Sequence, residues 1–548
     1  MGNSQSRPSS PGEVAQEKAL LERLRTLQLD RQDGWDEDYV YVGDKKQNDQ
    51  MNEKGPVTSE PREPREPEGL SVSEAERWQT ELLRDPKNRL ALSVLSAGNP
   101  REVLTSRAAT IADQQVFNVQ IPFEGGPITN QRSSGRCWLF ASTNVFRVAL
   151  MQKYNLDSFE LSQAYLFFWD KLEKANWFLE QVISTAGEPL DGRLVQTLLQ
   201  EPLSDGGQWD MVYNLVDKYG LVPQVLYPDS FNARSSSVVN SIVFTKLRQG
   251  ALALRRLAAA SPSGTTTTAE ALSRAKAKLV REIHAILTLT LGPPPAIDAE
   301  FEWDFVDKAG HARAVRATPR AFAQDLHSTR PNPTATIAVT PASVAGMISL
   351  VHDPRHPPLR LLSVDRLGNV VGGRGVRYVN VDMPGLKRAC VAQLRAGLPV
   401  FFGCDVGKFS SSARGLMDTA LIDYQLGFPG VDVLGGLDKA ERLRTGESAM
   451  THAMVLTAVH VVDEGVGGSG ERNKKKKEKE KRTVRWRVQN SWGEDAGDKG
   501  WFVMTDAWMD HFVYQAVIDP RFLGSEVRDV LRGEPIVLPL WDPMGSLA

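Results

Sequence analysis

The stretch Gln131-Arg-Ser-Ser-Gly-Arg-Cys137-Trp-Leu-Phe places a cysteine where an apolar helical pattern begins, with a glutamine six positions upstream. A thiol at a helix start sits at the positive end of the macrodipole, which favours thiolate, the nucleophilic form. Gly135 lets the backbone turn sharply into that helix, and Gln131 can then direct its amide N–H at an oxygen gaining negative charge beside the sulfur. A thiol nucleophile also needs a base within hydrogen-bond reach and a third group to orient the base. Both are found far downstream, in Thr451-His452-Ala-Met-Val-Leu-Thr-Ala-Val and Val488-Gln489-Asn490-Ser491-Trp492-Gly493. Each lies in or beside a β-like run, and a polar insert joins the two, so they read as neighbouring antiparallel strands. Asn490 can accept from one imidazole nitrogen of His452 while the other faces the sulfur, and Trp492 shields that bond. His460 and His511 are rivals, and the even spacing of His452 and His460 puts both on one face of a strand. Cys390 and Cys404 lie in apolar runs and read as small buried hydrophobes.

The order Cys137, His452, Asn490 and the words around them resemble the papain-like cysteine peptidases, and among these the bleomycin hydrolase family. Secreted papain-like enzymes usually carry a disulfide cysteine three residues before the nucleophile, where this chain has Ser134. His452 follows Cys137 by 315 residues (452 − 137), so large insertions separate the two halves. The tail Trp541-Asp-Pro-Met-Gly-Ser-Leu-Ala548 also looks like that family's. The resemblance runs from about residue 70 to the end.

It implies an α+β papain-like fold with a helical half, a strand-rich half, large helical insertions and a cleft between the halves. It further implies a cysteine aminopeptidase acting through an acyl-enzyme, with hydrolysis of bleomycin and homocysteine thiolactone as related activities. Cys137 would be the nucleophile, His452 the base and acid, Asn490 the orienting group, and Gln131 with the Cys137 N–H the oxyanion donors. By the same resemblance Ala548 ends a tail lying in the active site, the assembly is a homohexamer with an internal channel, and no metal or organic cofactor takes part. Asp205-Gly206-Gly207-Gln208-Trp209 interrupts a helical pattern and opens another helix. By spacing it is equally a helix-start turn or an open backbone edge; the resemblance favours Gly206 and Gly207 as substrate-facing, with Trp492 beside them.

The first 70 or so residues read as a disordered extension, with an acidic patch at Asp33-Gly-Trp-Asp-Glu-Asp38 and the run Glu60-Pro-Arg-Glu-Pro-Arg-Glu-Pro. A short amphipathic helix fits near Ala19. The peptidase domain is placed at 71–548, its first helix capped by Ser73. From about 235 to 350 the sequence reads as helices and loops, including a low-complexity insert near 261–270. Strand-rich sequence follows, and a glycine-rich and basic loop at 465–482 separates the His452 and Asn490 runs.

The 548 residues carry a formal net charge of −2 and only three cysteines, which excludes a secreted disulfide scaffold and suggests a reducing compartment. Without an apolar run of about 18 residues, no transmembrane helix or stable membrane insertion is expected. Lys474 to Arg482 reads first as a solvated face and alternatively as a patch for nucleic acid, which would make the chain a nucleic-acid-binding regulator with secondary peptidase activity. Gly2 fits a short N-myristoylation pattern. Cytoplasm is the expected location; because fungal relatives of this type occur in both compartments, a mitochondrial pool is the alternative.

Overall fold

The structure, a computed structural model, describes residues 69–260, 266–324, 341–463 and 481–546. The expectations for Gly2, the helix near Ala19, the acidic patch, most of the basic loop and Ala548 therefore lie outside the described residues, as do the first five residues of the low-complexity insert.

Two compact units are present. One, ending at Val103 and joined by Gly427–Pro429, contains helices α1 (Val72–Arg84) and α2 (Pro86–Leu95). Ser71 rather than Ser73 caps α1, its Oγ accepting from the Glu74 amide at 3.4 Å; Ser73 already lies inside the helix. Asp85 caps α2, with Pro86 in the first turn, where a missing N–H costs nothing.

The other unit comprises Leu104–Leu426 and the chain from Gly430 onward. At its centre is α3 (Cys137–Tyr154), buried on all sides from Cys137 through Met151, with Ser142, Thr143, Asn144 and Arg147 the polar residues of that buried stretch. Asn155 ends it in a left-handed conformation, φ 54°. Against it pack α4 (Gln163–Ser184), capped by Ser162, and α6 (Trp209–Tyr219), while α5 (Arg193–Gln200), α7 (Ser237–Ala259) and α8 (Thr266–Leu291) pack on α4. The next residues depart from the helical expectation: Phe301–Val306 and Ala312–Ala317 form an antiparallel hairpin, with the rings of Trp303 and Phe305 stacked at 4.4 Å.

The second half of this unit is built on a twelve-stranded sheet. Its main strands are β1 (Ile348–Val351), β2 (Arg360–Val364), β3 (Tyr378–Asn380), β4 (Val400–Cys404), β5 (His452–Asp463), β6 (Lys481–Gln489), β7 (Trp501–Thr505), β8 (Val513–Ile518) and β9 (Ile536–Leu538). They run in the order β9-β2-β3-β1-β8-β4-β5-β6-β7. β4 and β8 are buried along their whole length, which explains their largely apolar sequences; the one amide, Gln515 of β8, donates to Ser349 Oγ at 3.0 Å. As expected, the His452 strand β5 lies antiparallel to β6, which leads into Asn490, and Val455 sits opposite Gln489. Cys404 faces His452 across β4 and β5, and Cys390 is buried in the helix Met383–Arg395. One buried apolar cluster runs from Cys137 and Trp138 on α3 to Ala453 and Val455 on β5, so the two halves share a core. No helix among the described residues is long and apolar enough to cross a membrane.

Candidate active site

Cys137 is the first residue of α3, and its side chain meets three backbone N–H groups: its own, that of Trp138, and that of Ala453, the residue after His452. All three favour the thiolate. Burial opposes them and wins, pushing the thiol up from 9.0 to about 11. The expectation of a lowered thiol is thus corrected: the helix-end donors are present, but the sulfur is enclosed.

His452 opens β5 and is 4% exposed. Its Nε2–H donates to Asn490 Oδ1 at 2.9 Å, leaving Nδ1 as the bare nitrogen. Burial lowers the ring to about 4, against a smaller opposing effect of the Asn490 bond. Asn490 is itself fully buried, and the Ser491 amide donates to the same oxygen at 2.8 Å. Trp492 lies 4.8 Å from the imidazole, ring centre to ring centre. The rival histidines are elsewhere. His460 lies opposite Arg485 further along β5, and His511 Nδ1 meets Arg442 at 3.0 Å.

Gln131 is held from both ends. Its Oε1 accepts from Ser491 Oγ at 2.7 Å and its Nε2 donates to Ser134 O at 2.7 Å, which leaves one amide hydrogen free. The main chains are joined as well, through Gln131 N to Ser491 O at 2.8 Å and Gly493 N to Thr129 O at 3.0 Å. Ser134, at the position of the secreted enzymes' cysteine, donates to Gln131 O at 2.6 Å and accepts from Arg136 Nε at 2.8 Å. The fully buried Arg136 in turn grips Asp229 with both arms, at 2.7 and 2.9 Å. Hydrogen bonds thus hold the loop that a disulfide would hold elsewhere.

Cys137, His452, Gln131 and Gly135 line a cavity of about 330 Å³ together with Glu201, Leu203, Asn240 and Phe244. Gly206 lines it; Gly207 does not. A Cβ on Gly207 would stand 2.6 Å from the Trp138 ring, so this glycine exists for close packing behind the site. Gly135 also answers to proximity rather than to a special backbone angle. Its Cβ would lie 2.7 Å from Asp205 Cβ, and the left-handed residue of this loop is Arg132, φ 53°.

Asp205 was not singled out from sequence, yet it joins more of the site than any other side chain described. Its carboxylate accepts from Gly135 N at 3.1 Å, Asn240 Nδ2 at 2.8 Å and Ser236 Oγ at 2.5 Å, and pairs with Lys171 of α4. Its carbonyl accepts from Trp138 Nε1 at 2.7 Å. Burial pushes this carboxyl up, but Lys171 and the two side-chain donors outweigh that and hold it well below the usual carboxylate range. Lys174, one turn further, donates to the Ser204 and Gly206 carbonyls at 3.0 and 2.5 Å. Adjacency to Gly206-Gly207 was the one available signal for Asp205; the buried lysines were hidden in an apolar helical pattern.

A cysteine and a histidine from opposite halves, an asparagine on the histidine and an amide beside the thiol define a papain-like cysteine peptidase arrangement. The comparisons agree. Residues 69–545 match the Peptidase C1-like family, and the chain belongs to that family. It is 40% identical to bleomycin hydrolase of Gallus gallus over 486 residues, 88% of this chain and 99% of the relative. It is also 40% identical to "Cysteine proteinase 1, mitochondrial" of Saccharomyces cerevisiae (strain JAY291), covering 87% of this chain and 93% of that one. The crystal structure of PepW from Lactobacillus rhamnosis HN001 superposes with a TM-score of 0.77 at 36% identity, over 88% of this chain and 99% of PepW. The protein is a cysteine-type peptidase of the bleomycin hydrolase type, with a papain-like fold.

Two outcomes test this geometry. In His452→Ala the thiol loses its proton acceptor, so alkylation of Cys137 by iodoacetamide should climb steadily from pH 9.0 toward about 11, where burial puts the lone thiol. Wild type should react already near neutrality, because proton transfer to the ring forms both charges as a pair; identical profiles would dissociate His452 from the sulfur. Asp205→Asn leaves Lys171, 1% exposed, without its counter-ion, and should cost about 3–5 kcal/mol in urea unfolding together with a loss of kcat/KM. The deficit should persist at neutral pH and close only below the usual carboxylate range, since a lowered carboxyl stabilises until pH falls through its folded value.

Proposed function

We propose that the protein is an aminopeptidase in which Cys137, His452, Asn490 and Gln131 carry the chemistry. The observation that carries this is the His452 ring, fixed through Nε2 by Asn490 in the cavity that Cys137 also lines, with the Ala453 amide on the sulfur. The Cys137 proton passes to His452 Nδ1, and the sulfur attacks the amide carbon. The carbonyl electron pair moves onto oxygen, held by the remaining Gln131 Nε2–H and the Cys137 N–H. Collapse breaks the C–N bond, and Nδ1–H protonates the leaving amine. Water, losing a proton to Nδ1, then cleaves the thioester and frees the thiol. Gly206 presents backbone to the substrate, and Trp492 keeps water from the His452–Asn490 bond.

Selectivity for a free N-terminus is assigned to the chain's own tail, with Ala548 as its terminal carboxylate. Support comes from Ser546, whose carbonyl accepts from Gln208 Nε2 at 2.9 Å, directly after the Gly206-Gly207 segment. Bleomycin and homocysteine thiolactone enter as further substrates through the relatives' chemistry. The domain reading stays a single peptidase domain from about residue 71 preceded by the extension.

The assembly is assigned as a homohexamer in the cytoplasm, by family likeness; the exposed side chains of Phe231, Val238 and Leu289, on neighbouring helices, are apolar surface suited to contacts between copies. Nothing described favours the nucleic-acid or lipid-anchored readings.

An aminoacyl-coumarin amide should be cleaved with its amine free and spared when acetylated, and Cys137→Ala should abolish turnover. Removing Leu547 and Ala548 should admit the acetylated substrate; an unchanged preference would sink the gate. Light scattering should give about six times the 60.5 kDa chain mass, and a monomer mass would overturn the assembly assignment.

A further inference from the structure

Arg136 stands where a helix has least use for it. It is the N-cap of α3, directly before Cys137, and its side chain makes no capping bond to the helix. A cation at this end is opposed by the macrodipole, and a short oxygen-bearing side chain is what usually satisfies the free N–H groups there. Yet the guanidinium is fully buried, against the rings of Phe140 and Phe167 at 5.1 and 5.5 Å. Burying a charge with its counter-ion is a poorer source of stability than packing apolar side chains of similar volume. What explains the residue is where its donors reach.

They reach in two directions. NH1 and NH2 form a bidentate pair with Asp229 at 2.7 and 2.9 Å. Asp229 lies two residues after Tyr227, whose carbonyl accepts from Ser162 Oγ, the cap of α4, at 2.6 Å. The carboxylate therefore stands on a fixed point of the helical half. Nε donates to Ser134 Oγ at 2.8 Å, and that hydroxyl donates its own hydrogen to Gln131 O at 2.6 Å. The carbonyl of the same Ser134 accepts from Gln131 Nε2 at 2.7 Å. Ser134 thus meets both the main chain and the side chain of Gln131, and Arg136 fixes the hydroxyl's direction by occupying its acceptor side. The loop needs such holding, because Arg132 within it is exposed and left-handed at φ 53°, a costly conformation for a residue with a Cβ.

We propose that Arg136 is a positioning residue for the oxyanion donor: paired with Asp229, it holds Ser134, and through Ser134 it aims the free amide hydrogen of Gln131 at the substrate oxygen that gains charge beside the Cys137 sulfur. The inference rests on Gln131 as that donor and not on what selects a free N-terminus. Lysine cannot take over the role, because an ammonium is a point charge and lacks the planar fork that meets a carboxylate and a hydroxyl together.

Arg136→Lys keeps the charge and loses the fork. Ser134→Ala cuts the link to Gln131 while leaving Arg136 paired with Asp229, and so answers the question if the lysine variant fails to fold. Each is made alone and together with Gln131→Ala, with the melting temperature as a check on folding. Values of kcat and KM are measured on whichever aminoacyl-coumarin amide, free or acetylated, wild type cleaves. Each single variant should lower kcat about tenfold, a part of the roughly hundredfold or more that an oxyanion donor is worth, with KM little changed. In the Gln131→Ala background the same substitutions should cost nothing further, since a donor that is gone cannot be misplaced. Alkylation of Cys137 by iodoacetamide displaces iodide from a saturated carbon and builds no oxyanion, so its rate should stay that of wild type. A merely structural role would lower kcat equally in both backgrounds and change alkylation as well. Full kcat in both single variants, or a loss that persists undiminished without Gln131, overturns the assignment of Arg136. If Gln131→Ala itself costs nothing, the oxyanion reading falls, and Arg136 with it.

Discussion

The site depends on a buried carboxylate. Asp205 stands where three elements converge and is bonded to each: the turn into α3 through Gly135, α4 through Lys171, and the start of α7 through Ser236 and Asn240. Its own backbone carries Gly206 into the cavity wall, and its carbonyl holds the indole against which Gly207 packs. Taking such a pair out of water costs several kcal/mol per ion, so the interaction is a poor source of stability compared with apolar packing. What it supplies is position. A loop with two consecutive glycines has more backbone freedom than any other sequence, and here charge and hydrogen bonds remove that freedom on both sides of the cavity.

The opposite wall is held by different means. There the chain of contacts runs His452, Asn490, Ser491, Gln131, Ser134, with neutral partners throughout, and it joins the proposed base to the proposed oxyanion donor. With no full charge beside the imidazole, burial is free to lower it, just as burial raises the thiol. Burial therefore disfavours either charge alone, and each is tolerable in the presence of the other. Proton transfer from the sulfur to the ring forms both charges as a pair within the same enclosed space.

These differences explain what could be read from the sequence. Cys137, His452, Asn490 and Gln131 were legible because each sits in a short word whose chemistry is local: a thiol at a helix start, a histidine and an asparagine at strand ends. The α+β organisation and the antiparallel β5–β6 pair followed from apolar runs and one polar insert. Asp205 and Lys171 were not legible, since a charged residue within an apolar helical pattern gives no sign that its partner lies 34 positions away (205 − 171). Ser491 passed as part of the asparagine's word, although it alone fixes Gln131 Oε1. The hairpin at 301–317 was missed despite the alternation of Phe301, Trp303 and Phe305 with acidic residues, a period of two that deserved more weight than the helical surroundings. Gly135 reads as a place for backbone freedom and Gly207 as an edge left open for substrate, whereas both are set by a neighbour's bulk, which only the folded chain reveals.

The same distinction between reaction and position bears on the tail. Ordering a chain end costs roughly 1–2 kcal/mol of backbone entropy per residue, so a gate made from a free terminus would be weak if the whole segment had to be ordered on each encounter with substrate. Here the ordering is already done: β9 lies in the sheet, Asp542 on the Arg355 guanidinium, Met544 in the core and Ser546 on Gln208. A nucleophile common to many peptidases can thus draw its selectivity from a tail that is anchored before substrate arrives.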